Sequence, residues 1–340
     1  MVSIPVSEAR RSSPPPMSPT PRTSEQRLAR AADCAISSES IMYLAYGSNM
    51  SATEFLYMRG IRPLSQIGVS VPSLRFTMDL PGLPYLEPCF ANVNFRNEME
   101  TRCFEKQPLS DTWDGRLMGV VYEVTAEDWR TIFMTEGAGS TYQEIVVPCL
   151  PLGAEGSGPF FATTLYSPQQ VSDGNDQRLE TKADYHKVES GCAQASARYL
   201  KLIQDGAREH ELPESYRKYL ASFQPYTITR LRQRIGQALF LMIWAPLLLF
   251  FLLTVGLVTD KTGRLSPWLR RVVVSTQSIM WTSYRCIFEP VFGSGERTEG
   301  EADECPQRVG QRHETDGEAS WPSKLHAGTG KEGDVLINMA

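Results

Sequence analysis

Apolar residues fall into short runs over the first two-thirds of the chain and one long run near residue 245. The run at 41–45 is apolar and aromatic throughout, which predicts a buried strand, and Gly47-Ser48-Asn49 ends it as a turn. Residues 51–59 predict a short helix with Ser51 as N-cap and Glu54 as capping-box acid. From 78 to 108 Pro and Asn recur, which predicts a long excursion with little regular structure, of the kind that often carries function. The segment 116–124 (RLMGVVYEV) reads as a strong strand, and Thr125 caps a helix that Glu136-Gly137 terminates. Further strands are predicted at 141–149 and 160–166, and helices at 182–204 and 214–223 with Leu212-Pro213 between them. Strands and helices intersperse without a βαβ rhythm, which favours an α+β fold.

The long run is different in kind. Residues 235–259 contain no charge, and IWAPLLLFFLLTVGLV is apolar on every side. At about 1.5 Å per residue it extends some 37 Å, enough to cross a hydrocarbon layer of about 30 Å. Pro246 is tolerable in such a helix. A single-pass membrane helix is therefore expected. The following segment, 260–293, mixes Arg270, Arg271 and Arg285 with Trp268, Trp281, Tyr284 and Phe288. It suits either a segment at the membrane surface or an amphipathic helix packed on the domain. The ends read as disordered: 1–38 is rich in Pro, Ser and Arg, and 294–340 is acidic with few large apolar residues. Between them, 39–228 reads as one folded domain. The N-terminal segment lacks the apolar core of a signal peptide, and its prolines oppose an amphipathic presequence helix. A cytosolic placement of this domain is expected, also because Asn49-Met50-Ser51, in the turn after the first strand, is a glycosylation sequon.

Composition narrows the function. A net charge of −5 argues against a nucleic-acid partner. Seven cysteines, at 34, 89, 103, 149, 192, 286 and 305, form no C-x-x-C pair and fit reduced thiols better than a disulfide framework. The four histidines show no zinc-ligand spacing, so no metal is expected.

The chemistry concentrates in Tyr43-Leu44-Ala45-Tyr46-Gly47-Ser48-Asn49-Met50. A strand ending in Gly-Ser-Asn presents backbone N–H groups at a sharp bend, where a carboxylate or oxyanion can bind. This octapeptide resembles the signature loop of the γ-glutamyl cyclotransferase family. The resemblance continues in order through Gly119-Val120-Val121-Tyr122-Glu123-Val124, then Glu136-Gly137 followed by Tyr142. It ends with Tyr199-Leu200-Lys201-Leu202-Ile203, Asp205-Gly206-Ala207, and Leu212-Pro213 leading to Tyr216. Phe133 departs from it, standing where the family often carries an acid.

The resemblance covers roughly 40–226 and implies a mixed β-barrel with surrounding helices. It assigns Glu136 as general acid/base and Tyr43, Leu44, Ala45, Tyr46, Gly47 and Ser48 to substrate binding. Tyr142 and Tyr166 are further pocket candidates. It implies no cofactor, because the substrate's own α-amine attacks its γ-carbonyl and closes a five-membered ring. The long excursion, membrane segment and tails resemble fungal members acting in gliotoxin-type epipolythiodioxopiperazine toxin pathways. The implied substrate is glutathione or a glutathione S-conjugate. A γ-glutamylamine substrate, general glutathione degradation, and a non-catalytic membrane-tethered binding protein remain as alternatives.

Overall fold

The computed structural model describes residues 20–36, 40–96, 113–136, 142–153, 158–168, 193–258 and 266–300. The expected disorder of 1–19 and 301–340, and the helix expected over 182–192, lie outside these residues.

Five strands close into a barrel: β1 (Ile41–Ala45), β2 (Ser65–Val71), β5 (Leu117–Val124), β6 (Gln143–Pro151) and β7 (Phe160–Tyr166). Their order is β1-β5-β2-β6-β7, and the ring closes where β1 runs parallel to β7 at Tyr43 and Thr163. The remaining pairs are antiparallel, with Tyr43 opposite Tyr122 and Ile67 opposite Val121. The expected α+β mixed barrel is the fold found. β2 had no clear sequence signal, because Ser65, Gln66, Gly68 and Ser70 dilute its apolar alternation.

The excursion expected from 78 is corrected over its first half. β3 (Leu74–Leu83) and β4 (Glu87–Phe95) form an antiparallel hairpin with a register shift between Thr77 and Leu80. Its Asn residues are structural: Asn92 Nδ2 donates to Asp79 at 2.9 Å and to the Ser167 carbonyl at 2.9 Å, tying the hairpin to the end of β7. Glu54 does not close a capping box. The Ser51 N–H bonds to the Ser48 carbonyl, and Glu54 faces Arg59 at 3.6 Å from a π-helical turn, Thr53–Met58. Thr125 does cap α2 (Ala126–Thr135), its hydroxyl accepting from Asp128 N at 3.1 Å.

Order also begins earlier than expected. Residues 20–36 pack on the barrel through α1 (Glu25–Ala31), which buries Leu28 and Ala31. Arg27 Nε lies 2.6 Å from Glu123 Oε1, and Ser40 and Ser65 donate to the same carboxylate at 2.7 and 2.9 Å. Burial alone would raise Glu123, but these hydrogen bonds and the guanidinium charge hold it below the usual carboxylate value. A depressed carboxylate stabilises the fold above its unfolded pKa, and that contribution fades as pH falls through the folded one. Arg27→Met is expected to cost about 3 kcal/mol, since it leaves a largely buried charge unpaired. Urea unfolding at pH 7 measures the loss, which should shrink on acidification.

Two helices, α3 (Ala197–Glu209) and α4 (Glu214–Ala221), cover one side of the domain. Beyond them α5 (Leu231–Val258) runs through Pro246, and α6 (Pro267–Ser283) continues by a π-turn and a short helix to Phe292. Among the described residues α5 is long and apolar enough to cross a membrane. The acidic tail is not wholly separate, because 293–300 pack against the domain. Burial first, opposed by Arg285 and aided by Glu289, pushes the Glu296 carboxyl up to about 7. A raised carboxyl stabilises the docked segment below about 4.5, and that contribution is lost as pH rises through about 7. Limited proteolysis near residue 297 is therefore expected to be faster at pH 8 than at pH 5, and Glu296→Gln should flatten the difference.

Candidate active site

Where β1 leaves the barrel, Tyr46-Gly47-Ser48-Asn49 bends into a 3-10 turn over Ser48–Met50. The Met50 N–H closes on the Gly47 carbonyl at 3.1 Å. Gly206 of α3 supports the turn from behind. A Cβ there would lie 2.6 Å from Met50 Cβ and 2.7 Å from Ser51 N, so only glycine lets the helix approach this closely. Across from the loop, α2 ends at Glu136, whose N–H bonds to the Ile132 carbonyl at 3.0 Å.

Loop and helix end enclose a small polar cavity. Tyr43, Tyr46, Gly47 and Ser48 line it together with Glu136 and Tyr142. Leu44 and Ala45 do not reach it. Both are buried in β1, where the Leu44 carbonyl accepts from Thr164 Oγ1 at 2.8 Å, and they hold the strand that carries the loop. Tyr166 is also outside the lining, its ring edge-on to Phe95 at 5.6 Å. Its neighbour Leu165 takes that place and accepts the Tyr46 hydroxyl at 2.6 Å. Phe133, the residue that departs from the family pattern, is buried beside Trp129.

Three side chains outside the expected set complete the cavity's polar network. Asn49 Nδ2 donates to Tyr43 Oη at 2.8 Å and to Glu136 Oε1 at 3.1 Å, bridging loop and carboxylate. Its Oδ1 is buried with no hydrogen-bond partner. Arg59 Nη2 lies 2.7 Å from the same Glu136 oxygen, the two side chains being 11% and 20% exposed. Burial would depress this guanidinium, but the charge of Glu136 and its hydrogen bond, with Glu54 adding to them, hold it above its ordinary value. Tyr199 of α3 lines the cavity and its hydroxyl accepts from Ala91 N at 3.1 Å. Asn49 was already legible within the Gly-Ser-Asn turn and Tyr199 within the helical segment of the resemblance, though neither was assigned to the site, whereas Arg59 is placed by the fold alone.

Burial, followed by the charge of Glu136, raises Tyr43 above the usual phenol range. Burial likewise raises Tyr46, Tyr142 and Tyr199. Around neutral pH these groups remain protonated and serve as O–H donors. One carboxylate held by a guanidinium on one oxygen, with neutral O–H donors and a backbone bend around it, is a site for moving a proton, with oxyanion stabilisation alongside it.

Comparison with known proteins decides the family. Residues 230–291 match a family described as the AclK C-terminal domain, a span that coincides with α5 and α6. Over 280 residues the chain is 31% identical to γ-glutamyl cyclotransferase gliK of Aspergillus fumigatus, covering 80% of this chain and 96% of that one. The chain belongs to the γ-glutamyl cyclotransferase family. As a γ-glutamyl cyclotransferase it is an enzyme, and a second relative, aclK of Aspergillus oryzae, is 29% identical over 75% of this chain and 90% of its own. A solved structure of an uncharacterised human protein is similar over 56% of this chain and 92% of its own, at 18% identity and a TM-score of 0.40.

Proposed function

We propose that the enzyme cyclises the γ-glutamyl group of glutathione or a glutathione S-conjugate to 5-oxoproline and releases Cys-Gly or its conjugate. The observation that carries this reading is the placement of Glu136 opposite the Tyr43–Ser48 loop, with Asn49 bridging the two. The γ-glutamyl chain lies folded in the cavity, so that its α-nitrogen meets its own γ-carbonyl carbon. Proximity supplies much of the rate, because attack is intramolecular. Glu136 takes a proton from the α-ammonium, the C–N bond of the ring forms, and backbone N–H groups of the loop receive the oxyanion. The same proton passes to the departing nitrogen as the original amide bond breaks, and the second proton shed by the ring nitrogen follows by way of Glu136, so the amine leaves as an ammonium. Both contacts of Glu136 with Asn49 and Arg59 fall on Oε1, which fixes the carboxylate and leaves Oε2 to carry the proton.

Asn49 Oδ1 serves as acceptor for the α-ammonium. A buried, unpartnered oxygen costs about 1–3 kcal/mol, which a bound cation would recover. Asn49→Ala is expected to lower kcat/KM about tenfold to a hundredfold. Steady-state kinetics on the folded variant check this, and unchanged kinetics would remove Asn49 from the reaction.

In this reading the enzyme works in fungal epipolythiodioxopiperazine toxin biosynthesis. α5 attaches it to a membrane, with the catalytic domain on the cytosolic side. The apolar length of α5 supports the attachment, and the likeness to gliK and aclK supports the pathway. The test is 5-oxoproline release from glutathione, a bulky glutathione S-conjugate and a γ-glutamylamine in parallel. Preference for the conjugate supports the pathway. Preference for free glutathione or for the γ-glutamylamine shifts the enzyme to general glutathione degradation or amine release.

A further inference from the structure

The chain beyond α5 turns back along it. Phe240 of α5 meets Phe288 at 5.0 Å between ring centroids and Tyr284 at 6.3 Å, while Gly236 faces Phe292. Increasing number along α5 thus pairs with decreasing number along 284–292, the π-turn and short helix that continue α6, so the chain returns antiparallel to α5. Its returning end is fastened to the catalytic domain. Tyr85, at the tip of the β3–β4 hairpin, donates its N–H to the Gly295 carbonyl at 2.8 Å and its hydroxyl to the Gly293 carbonyl at 2.7 Å. Gln194 N donates to the Glu296 carbonyl at 2.9 Å, and Arg232, at the start of α5, lies 2.8 Å from Glu299. Entry and exit of the helical pair therefore sit side by side on one face of the domain.

Length argues the same way. Gln237 of α5 and Gln277 of α6 both donate to carbonyls of the β3–β4 hairpin, so the domain covers the pair to that level. Beyond that level α5 projects about 30 Å, the thickness of a hydrocarbon layer, but the returning α6 projects only about 15 Å, half of it. Between Arg271 and Arg285 the uncharged stretch is roughly 20 Å, again short of a crossing. Exposed apolar side chains line both helices, among them Met242, Leu249 and Phe250 on α5 and Trp268, Val272 and Ile279 on α6. Exposed Arg270 and Arg271 stand among them, where their long stems let the guanidinium groups reach lipid phosphates.

We infer that the anchor is not the single crossing expected from sequence but a helical hairpin, α5–α6, embedded in a phospholipid bilayer from the catalytic side. The chain beyond residue 300 then shares a compartment with the active site. This inference rests on the proposed membrane attachment, and the experiment separates the two. The full chain, tagged at both ends, is expressed and its sealed microsomes are isolated with the cytosolic face outward. Alkaline carbonate extraction tests attachment first: the enzyme is expected in the pellet, and release to the supernatant overturns attachment itself. Protease is then added without detergent. Loss of both tags together is the expected result. Loss of the N-terminal tag with protection of the C-terminal one overturns the hairpin and restores a single crossing. Protection of both tags keeps the hairpin and overturns only the cytosolic placement.

Discussion

Glu136→Gln is expected to lower kcat for 5-oxoproline release about a hundredfold or more while the protein stays folded. The amide oxygen of Gln still accepts from Arg59 and Asn49, so the cavity keeps its shape, and the carboxylate's capacity to exchange a proton is what disappears. Because the proton moves in the transition state, kcat and kcat/KM should fall together, with KM changing little. Glu136→Asp keeps the acid but withdraws it by one methylene from Oε1's partners, so its turnover should lie between wild type and Gln. A Gln variant retaining more than about a tenth of wild-type turnover contradicts the assignment of Glu136 as acid/base.

Gly206→Val should be nearly as damaging, although the residue is outside the lining of the cavity. Two effects oppose each other. Valine in place of glycine inside α3 favours the helix, by less than about 1 kcal/mol. Against this, the new Cβ would sit 2.6 Å from the Met50 carbonyl carbon and 2.7 Å from Ser51 N, and backbone cannot yield as a flexible side chain can. Overpacking of this kind costs about 1–3 kcal/mol and displaces the loop, and about 1 Å of misplacement near the reacting groups can cost a hundredfold in rate. The clash wins. The expected result is a folded, modestly destabilised enzyme with kcat/KM reduced about a hundredfold, measured by thermal unfolding beside the 5-oxoproline assay.

Much of this site was legible because it is local in sequence. The Tyr43–Asn49 loop and Glu136 sit at the ends of elements whose start and stop signals are strong: an apolar strand run into Gly-Ser-Asn, and a Thr-capped helix. The helix cap put Glu136 at a C-terminus, and the barrel register put that terminus opposite the loop. Arg59 and Tyr199 could not be read this way. Each reaches the cavity from an element whose position depends on long-range packing: Arg59 from the end of an irregular turn, and Tyr199 from a helix resting on Gly206. Tyr166 was over-read for the opposite reason. On a strand, neighbours point to opposite faces, and the alternation gives the inward position to Leu165.

The same limit explains the fold's two surprises. β3 and β4 were hidden by Pro81, Pro84 and Pro88 and by two asparagines, yet the hairpin tolerates them at its tip, at a register shift, and through the hydrogen bonds of Asn92. α1 carries only a short apolar stripe, and what orders it is Arg27 reaching a carboxylate that lies 96 residues away. Composition cannot reveal such a pair.

The most direct test of the catalytic account is the product formed from glutathione or its S-conjugate in water enriched in heavy oxygen, identified by mass spectrometry. Intramolecular attack predicts 5-oxoproline without solvent oxygen, in amounts equal to the released amine. Glutamate carrying heavy oxygen would mean that water is the nucleophile, and would contradict a site built to fold the γ-glutamyl chain onto itself.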